Sequence, residues 1–271
     1  MINRGVEFTL TVNLPMPRDF TWSWTFTGTH YKNKVTDIPA DKREDGITHD
    51  AYYNIREGRS VWDFYYYKYA GLDDNGHSTW YKDVKDEDGN VTGRETTTDY
   101  STATKYYIGT ALPDFQGGIT TNFGWKGIDF SIAMNYQLGG KIYDAMYANL
   151  MHGGSNAGTN WHKDILKAWT PENTNTDVPI LDGDQNANTF SDRFLIGADF
   201  FNIRNITLGY TFPNDWMRKA SIEKARVYVA ADNVALWSKR KGLDPRQYIY
   251  GQSQANYSAI RTVSFGLSLT F

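Results

Sequence analysis

Apolar and polar residues alternate one by one along four stretches of this chain. The clearest is residues 128–138, and the others are residues 6–12, 20–27 and 262–271. Because successive side chains of a β-strand point to opposite faces, each stretch is predicted to be a strand with one apolar and one polar face. The stretches extend for about 8–11 residues, which is the length that a tilted strand needs to cross a bilayer. Strands of soluble domains are usually about 5–6 residues long, so the length favours membrane-spanning strands.

Five further stretches show a weaker strand pattern. They are residues 60–70, 79–83, 117–125, 203–212 and 225–236. The chain is therefore predicted to be all-β, with about nine antiparallel strands.

The predicted connections alternate in length. The short or moderate turns are residues 14–19, 73–76, 126–127 and 213–224. The long polar segments are residues 32–59, 85–116, 139–201 and 239–260. Short turns at one end and long loops at the other are typical of bacterial outer-membrane barrels. If the short turns are periplasmic, the last strand also ends in the periplasm.

Composition narrows the classes of function. The chain has 271 residues and a net charge of −3, which gives no reason to expect a nucleic-acid partner. It contains no cysteine, which excludes disulfides and thiolate metal sites within it. Aromatic residues make up 15% of the chain, yet its mean hydropathy is −0.58. This combination is typical of a barrel with a wet lumen and long loops, and equally of a secreted β-sandwich that binds carbohydrate.

Two expected features of an exported membrane protein are missing from the sequence. No stretch approaches the roughly 20 apolar residues of a transmembrane helix. The first residues also lack the charged head and apolar run of a signal peptide. Because an outer-membrane protein must be exported, the chain is expected to be a piece of a longer one.

Five segments are distinctive in sequence and in order. They are Asn3-Arg4-Gly5-Val6-Glu7, Pro113-Asp114-Phe115-Gln116-Gly117-Gly118, Ile203-Arg204-Asn205-Ile206-Thr207-Leu208-Gly209-Tyr210-Thr211-Phe212-Pro213, the run from Ala225 to Pro245, and the aromatic-terminated run from Arg261 to Phe271. Each alone is a weak signal, but five in register are specific. With them the chain resembles the late barrel of SusC/RagA-type TonB-dependent transporters.

The resemblance implies a fold, a location and partners. Members of this family are 22-stranded outer-membrane barrels occluded by an N-terminal plug. Residues 1–271 would then be the C-terminal portion of the barrel, without the plug, and with a periplasmic C-terminus. The implied partners are a SusD-like surface lipoprotein, the TonB complex through the missing N-terminal part, the barrel-assembly machinery and outer-membrane lipid.

The resemblance also implies a function for the intact protein. Such transporters import oligosaccharides or peptides, are not enzymes and need no cofactor. The sequence leaves open which of the two nutrients is carried. A secreted or surface all-β carbohydrate-binding protein, with no transport role, remains the alternative.

One short helix is predicted in a long loop. Trp161, Ile165, Leu166 and Trp169 lie at helical spacing, and Thr170-Pro171 follows them. The helix is expected to shield the mouth of the barrel. In a second interpretation, Trp161 and Trp169 face the ligand and stack on sugar.

Two acidic residues of a loop are candidates for contact with a ligand. Asp182 and Asp184 begin a segment that resembles a calcium loop, but Ala187 and Arg193 stand where the glycine and the bidentate glutamate belong. The same two carboxylates would be needed for glycoside hydrolysis, although nothing marks them as catalytic. We therefore expect a solvated loop with no metal.

The last residue is a candidate signal. Phe271 is a terminal aromatic residue that closes an alternating strand. Such an ending resembles the signal by which the barrel-assembly machinery recognises its substrates.

Overall fold

The computed structural model describes residues 1–183, 186–219, 221–248 and 250–271. Within these ranges the strands are β1 (Ile2–Leu14), β2 (Phe20–Lys34), β3 (Ile47–His49), β4 (Tyr53–Ile55), β5 (Asp63–Tyr67), β6 (Tyr69–Leu72), β7 (Ser78–Lys85), β8 (Val91–Thr97), β9 (Lys105–Thr110), β10 (Phe115–Trp125), β11 (Ile128–Leu138), β12 (Lys141–Tyr143), β13 (Leu195–Gly197), β14 (Phe200–Thr211), β15 (Lys224–Ser238) and β16 (Thr262–Thr270). The α-helices are α1 (Ala145–Leu150) and α2 (Asn214–Arg218), and 3-10 helices form at Ala40–Lys42, Tyr100–Thr102, Lys163–Lys167, Asp192–Phe194 and Pro245–Gln247. None of the described helices is both long and apolar enough to span a bilayer.

The seven long strands form one antiparallel sheet. Its order is β1-β2-β10-β11-β14-β15-β16, so each long strand lies beside the next long strand in the chain. Short connections join β1 to β2, β10 to β11 and β14 to β15 at one end of the sheet, which we call the turn end. The three long connections, residues 35–114, 139–199 and 239–261, all leave from the opposite end, the loop end. The predicted alternation of short and long connections is confirmed for this sheet, except that the predicted short turn at residues 73–76 is not one of its connections.

The pairing register gives the sheet one apolar and one polar face. One row of paired residues is Leu10, Phe26, Ile119, Met134, Ile203 and Ala235. The adjacent row, on the other face, is Thr9, Thr27, Gly118, Asn135 and Asn202. Directly paired residues point to the same side of a sheet. A further apolar row reaches the last strand, and its members are Leu14, Trp22, Phe123, Phe130, Leu208, Val229 and Phe265. The alternation seen in separate stretches of sequence is therefore aligned across all seven strands.

A β-bulge keeps the apolar face continuous where the alternation of the sequence fails. Ile203 and Ile206 are three residues apart, which would place them on opposite faces of a regular strand. The register between β11 and β14 shifts here: Met134 pairs with Ile203 and Ile132 with Ile206, which leaves Arg204 as the extra residue. This extra residue returns Ile203 to the face of Ile206.

Two of the about nine predicted strands lie outside the large sheet. Residues 60–70 form β5 and the start of β6, and residues 79–83 lie in β7. These short strands pair locally, in a sheet of order β3-β4-β5-β9 and a sheet of order β6-β7-β8. The large sheet therefore has seven strands, and the segment between β2 and β10 is one long connection. The predicted short turn at residues 73–76 is the tip of the β6–β7 hairpin inside that connection, because Leu72 pairs with Ser78 and the Asp73 nitrogen donates to the His77 carbonyl at 2.9 Å.

The larger cluster of buried apolar side chains lies in the long connections. Its members are Tyr53, Phe64, Tyr66, Tyr143, Ala148, Met151, Ile165, Ala168, Val178, Phe194 and Leu195. The apolar face of the sheet is by contrast uncovered by the described residues, and the side chain of Phe265 in β16 is 84% exposed. The loops thus fold into a compact body of their own at one end of the sheet, and no described segment forms a second layer on its apolar face.

Candidate ligand-binding cavities at the loop end

The loops enclose a cavity against the polar face of the sheet. This polar-face cavity has a volume of about 360 Å³. Gln116 of β10 and Asn135 and Gln137 of β11 line it from the sheet, and Arg246 and Tyr248 line it from the connection 239–261. These sheet residues belong to the polar face by their register. The β15–β16 connection therefore folds over the polar face of the sheet.

An ion pair between a partly exposed arginine and a buried aspartate links that connection to the one before it. The Arg240 Nε lies 2.6 Å from Oδ2 of Asp144, whose carboxylate is buried. The Arg240 guanidinium also lies over the Tyr147 ring, 3.5 Å from its centroid. A charged pair in a site of low dielectric needs such additional contacts to offset its desolvation. The pair joins the connection 139–199 to the connection 239–261.

Backbone hydrogen bonds fix the same two connections to each other. The Tyr143 nitrogen donates to the Gly251 carbonyl at 2.7 Å, and the Ser253 nitrogen donates to the Tyr143 carbonyl at 2.9 Å. Gly251 has a φ of 67° and lies against the Phe64 ring and the Ala111 side chain, where a Cβ atom would collide. Only glycine fits this close approach.

A second cavity opens beside the first and shares Tyr248 with it. We call it the aromatic–amide cavity, and its volume is about 560 Å³. Its lining includes Tyr53, Trp62, Tyr250, Gln247, Gln254 and Asn256. Burial raises the pKa of the Tyr53 phenol, so this group stays protonated, and its hydroxyl donates a hydrogen bond to the Tyr250 carbonyl. None of these six residues was singled out in the sequence, because they come from three separate segments and follow no motif.

The predicted loop helix is present in a shorter form. A 3-10 helix covers Lys163–Lys167, and within it Ile165 is buried whereas Leu166 is 87% exposed. Residues 161, 165, 166 and 169 were predicted to share one face of an α-helix. A 3-10 helix has three residues per turn, so neighbours such as Ile165 and Leu166 point in different directions. The two α-helices α1 and α2 were not predicted.

Trp161 and Trp169 do not line either cavity. The Trp161 ring is 41% exposed and packs edge-on against His152, with ring centroids 4.9 Å apart. Trp169 covers Gly76 at the tip of the β6–β7 hairpin, and its backbone nitrogen donates to the Val178 carbonyl at 2.9 Å. Trp169 therefore joins two loops, while Trp161 remains a partly open ring whose predicted contact with a ligand is untested.

Asp182 lies beside a histidine of another loop. Its Oδ2 is 3.2 Å from the Nε2 of His77. Asp184, the second predicted acidic residue, lies outside the described residues. Among the described residues there is no group of three or more histidine, cysteine and acidic side chains arranged to hold a metal ion.

Phe271 follows directly after β16 at the turn end of the sheet. Thr270 of β16 pairs with Lys224, the first residue of β15. Phe271 itself is highly exposed. Its side chain continues the apolar series Val263, Phe265, Leu267 and Leu269, which fits a role as a recognition signal but does not test it.

Changing Phe271 tests that role. If the barrel-assembly machinery recognises the terminal ring, Phe271→Asp in the full-length protein should strongly reduce the folded, heat-modifiable band in outer-membrane fractions, while synthesis is unchanged. Phe271→Tyr is the matched control and should insert normally because it keeps the ring. Equal insertion of the aspartate variant would show that Phe271 is only the end of a strand.

Known proteins with similar sequences cover the chain almost completely. TonB-dependent receptor P3 of Formosa agariphila is 26% identical over 291 aligned residues, which cover 99% of this chain and 28% of the receptor. TonB-dependent receptor SusC of Bacteroides thetaiotaomicron is 28% identical and is aligned over 99% of this chain and 26% of SusC. No family model matches the sequence. The chain resembles part of a SusC/RagA-type TonB-dependent receptor from end to end.

Solved structures lead to the same family. The RagAB peptide importer in its closed-closed state superposes with a TM-score of 0.85 at 27% identity, over 99% of this chain and 29% of the matched chain. The open-open state of RagAB gives a TM-score of 0.82 at 25% identity, over 99% and 28%. The chain thus spans little more than a quarter of the length of its relatives. These relatives are receptors and importers, not enzymes, as expected from the sequence.

Proposed function

We propose that this chain supplies C-terminal barrel strands to a TonB-dependent transporter of the outer membrane. The intact protein would import oligosaccharides or peptides together with a SusD-like surface lipoprotein. Energy would come from the TonB complex, which would contact a part of the protein outside residues 1–271. The chain itself would serve as barrel wall and as part of the ligand entrance.

The observation that carries this proposal is the uncovered apolar face of the large sheet. A β-sandwich buries its apolar faces against a second sheet, and the described residues provide no such layer. Lipid would cover the face in a barrel, with the polar face toward the lumen. The seven strands are 9 to 15 residues long, which is enough for tilted strands of about 9–11 residues to cross a bilayer.

Aromatic residues at both ends of the apolar face support the membrane interpretation. Trp125 and Tyr210 lie on this face at the turn end, and Phe201 and Trp237 lie on it at the loop end. The Phe201 and Trp237 rings contact each other, with centroids 5.8 Å apart. Outer-membrane barrels carry such aromatic girdles at the two membrane interfaces, because the rings suit the boundary between hydrocarbon and water.

Strand direction supports membership of a larger barrel. Both edge strands, β1 and β16, run from the loop end to the turn end. Joining them directly would create a parallel pair in an otherwise antiparallel sheet. Antiparallel closure needs an odd number of further strands between β16 and β1. Added to these seven, an odd number gives an even total, as in bacterial single-chain barrels.

The direction of the sheet also gives the proposed orientation. With the short turns in the periplasm, the compact body of loops would lie on the extracellular side. It would form the ordered surface that a lipoprotein lid needs, and Phe271 would lie in the periplasm. The barrel-assembly machinery and outer-membrane lipid would be the other partners.

Site-directed labelling tests the placement of the two faces. The chain has no native cysteine, so single cysteines can be introduced without background. In the full-length protein, Ile132→Cys and Met134→Cys on the apolar face should resist water-soluble thiol reagents, and labels attached there should respond to quenchers in the lipid phase. Ser131→Cys, the neighbour on the polar face, is the matched control and should behave in the opposite way. Labels at Ile132 and Met134 that ignore lipid-phase quenchers would show a face packed on protein, as in a sandwich.

A further inference from the structure

The aromatic–amide cavity has the size and lining of a ligand site. Its volume of about 560 Å³ falls within the range of roughly 300–1,000 Å³ that is typical of small-molecule sites. Its lining combines aromatic rings with side-chain amides, and the described lining residues include no lysine or arginine. Besides the tyrosines, the ionisable groups among them are His49 and Asp50, and the Asp50 carboxylate accepts a hydrogen bond from the Ala51 nitrogen. The described lining therefore offers no lysine or arginine to an anionic ligand and suits a polar, neutral one.

The aromatic wall is held rigidly. The Trp62 ring packs edge-on against Tyr53, with centroids 5.7 Å apart and planes at 88°. The Trp62 ring also lies close to the Tyr250 ring, with centroids 5.2 Å apart. The hydrogen bond from the Tyr53 hydroxyl to the Tyr250 carbonyl fixes the backbone that carries the second ring. Tyr250 is nevertheless 63% exposed, so its ring is presented to solvent and not buried in the loop core.

Two side-chain amides of the cavity lining are available to a ligand. The side chains of Gln254 and Asn256 are exposed and make no hydrogen bond within the part of the chain that the structure describes. Their backbone is anchored, because the Tyr248 hydroxyl donates to the Gln254 carbonyl at 2.7 Å. Each amide offers both a donor and an acceptor, which is the complement of a sugar hydroxyl group.

From this arrangement we infer that the aromatic–amide cavity is a binding subsite for a neutral oligosaccharide. The inference rests on the proposed transport function and names the ligand class of its entrance. A pyranose ring would place its C–H face on Trp62 and Tyr250, whose π-faces carry partial negative charge, and its hydroxyl groups would reach Gln254 and Asn256. Because Tyr248 also lines the polar-face cavity, the next sugar of the chain would lie toward the polar face of the sheet.

Binding by the purified full-length protein tests the inference. The protein would be titrated calorimetrically with maltoheptaose, laminarihexaose, xylohexaose and mannohexaose, and separately with a tryptic peptide mixture. For the glycan that binds, Trp62→Ala should weaken affinity about tenfold, because the stacking surface is lost. The double variant Gln254→Ala with Asn256→Ala should weaken it about threefold, since these amides make no described contact in the fold and their loss leaves the loop intact.

Controls separate binding from folding. Trp62→Phe keeps a stacking ring and should restore most of the affinity. Trp216→Ala removes an exposed tryptophan of α2 at the turn end of the sheet and should leave the affinity unchanged. The double amide variant remains informative if Trp62→Ala fails to fold, because Trp62 also packs against the loop core.

The outcomes distinguish this inference from the proposed function. Unchanged glycan affinity in both cavity variants would overturn the subsite, and so would a lack of binding to all four glycans. Peptide binding that is lost in Trp62→Ala, without glycan binding, would overturn the ligand class while leaving the importer intact. Glycan binding in the cavity with no uptake of any nutrient by cells would instead contradict the transport function and leave the subsite standing.

Discussion

Expressed alone, the 271-residue chain should fail to form a stable pore and should aggregate or be degraded. The seven-stranded sheet leaves β1 and β16 as unpaired edges, and their parallel directions prevent antiparallel closure onto each other. Each unsatisfied backbone group exposed to hydrocarbon costs several kcal/mol, so an open edge in lipid is strongly unfavourable. Refolding into liposomes, followed by planar-bilayer recording and heat-modifiability on gels, measures the effect.

The full-length protein refolded under the same conditions is the control for this experiment and should give a heat-modifiable band. Stable single-channel conductance from the 271-residue chain would contradict the interpretation of the sheet as an open segment of a larger barrel. A soluble, monomeric and cooperatively folding chain would instead support the sandwich alternative.

Arginine on the apolar face should have the second large effect. Ile132 lies near the middle of β11 and pairs with Thr121 and Ile206. In a bilayer, Ile132→Arg would place a guanidinium group in hydrocarbon near the midplane, at a cost of about 2–4 kcal/mol in the free energy of folding. Unfolding of the full-length protein from liposomes in guanidinium chloride measures the loss.

The neighbouring residue provides the matched control. Ser131 lies on the polar face and pairs with Asn122 and Thr207. Ser131→Arg should be nearly neutral for stability, because the guanidinium stays in water, although it can alter uptake through the lumen. Equal destabilisation by both substitutions would mean that the two faces are equally dry, which is incompatible with a water-filled barrel.

The sequence was sufficient to predict the seven strands of the large sheet and the faces of most of them. A strand such as β11 carries its two faces in its own alternation, from Ile128 to Leu138, so no distant contact is needed to recognise it. The alternation fails at Ile203 and Ile206, where only the pairing with β11 shows that an extra residue, Arg204, is accommodated in a bulge.

The sequence did not distinguish strands of the large sheet from strands of the loops. Residues 60–70 and 79–83 have the same local pattern as a membrane strand, since alternation reports only that one face is buried and not what covers it. Their pairing distinguishes them from the strands of the large sheet, because β5 and β7 pair with strands of the same connection. Phe64 and Tyr66 of β5 belong to the buried cluster of the loops, and Trp80 of β7 is buried against the Tyr100 ring. Each strand of an antiparallel sheet reverses the direction of the chain. Because two strands, an even number, move out of the sheet, the predicted direction of β16 does not change.

The residues that line the two cavities could be identified only from the tertiary structure. Trp161 and Trp169 stood out in the sequence because they mark a local helical period, yet they lie outside the cavities. Trp62 and Tyr250 lie in segments without any motif, and their rings come together only in the folded chain. They meet because the connection 239–261 is fixed to the connection 139–199 by the Asp144–Arg240 pair and by the backbone hydrogen bonds of Tyr143. Strand identity and facing are local properties that alternation records, whereas a cavity between loops arises from long-range contacts that no local pattern encodes.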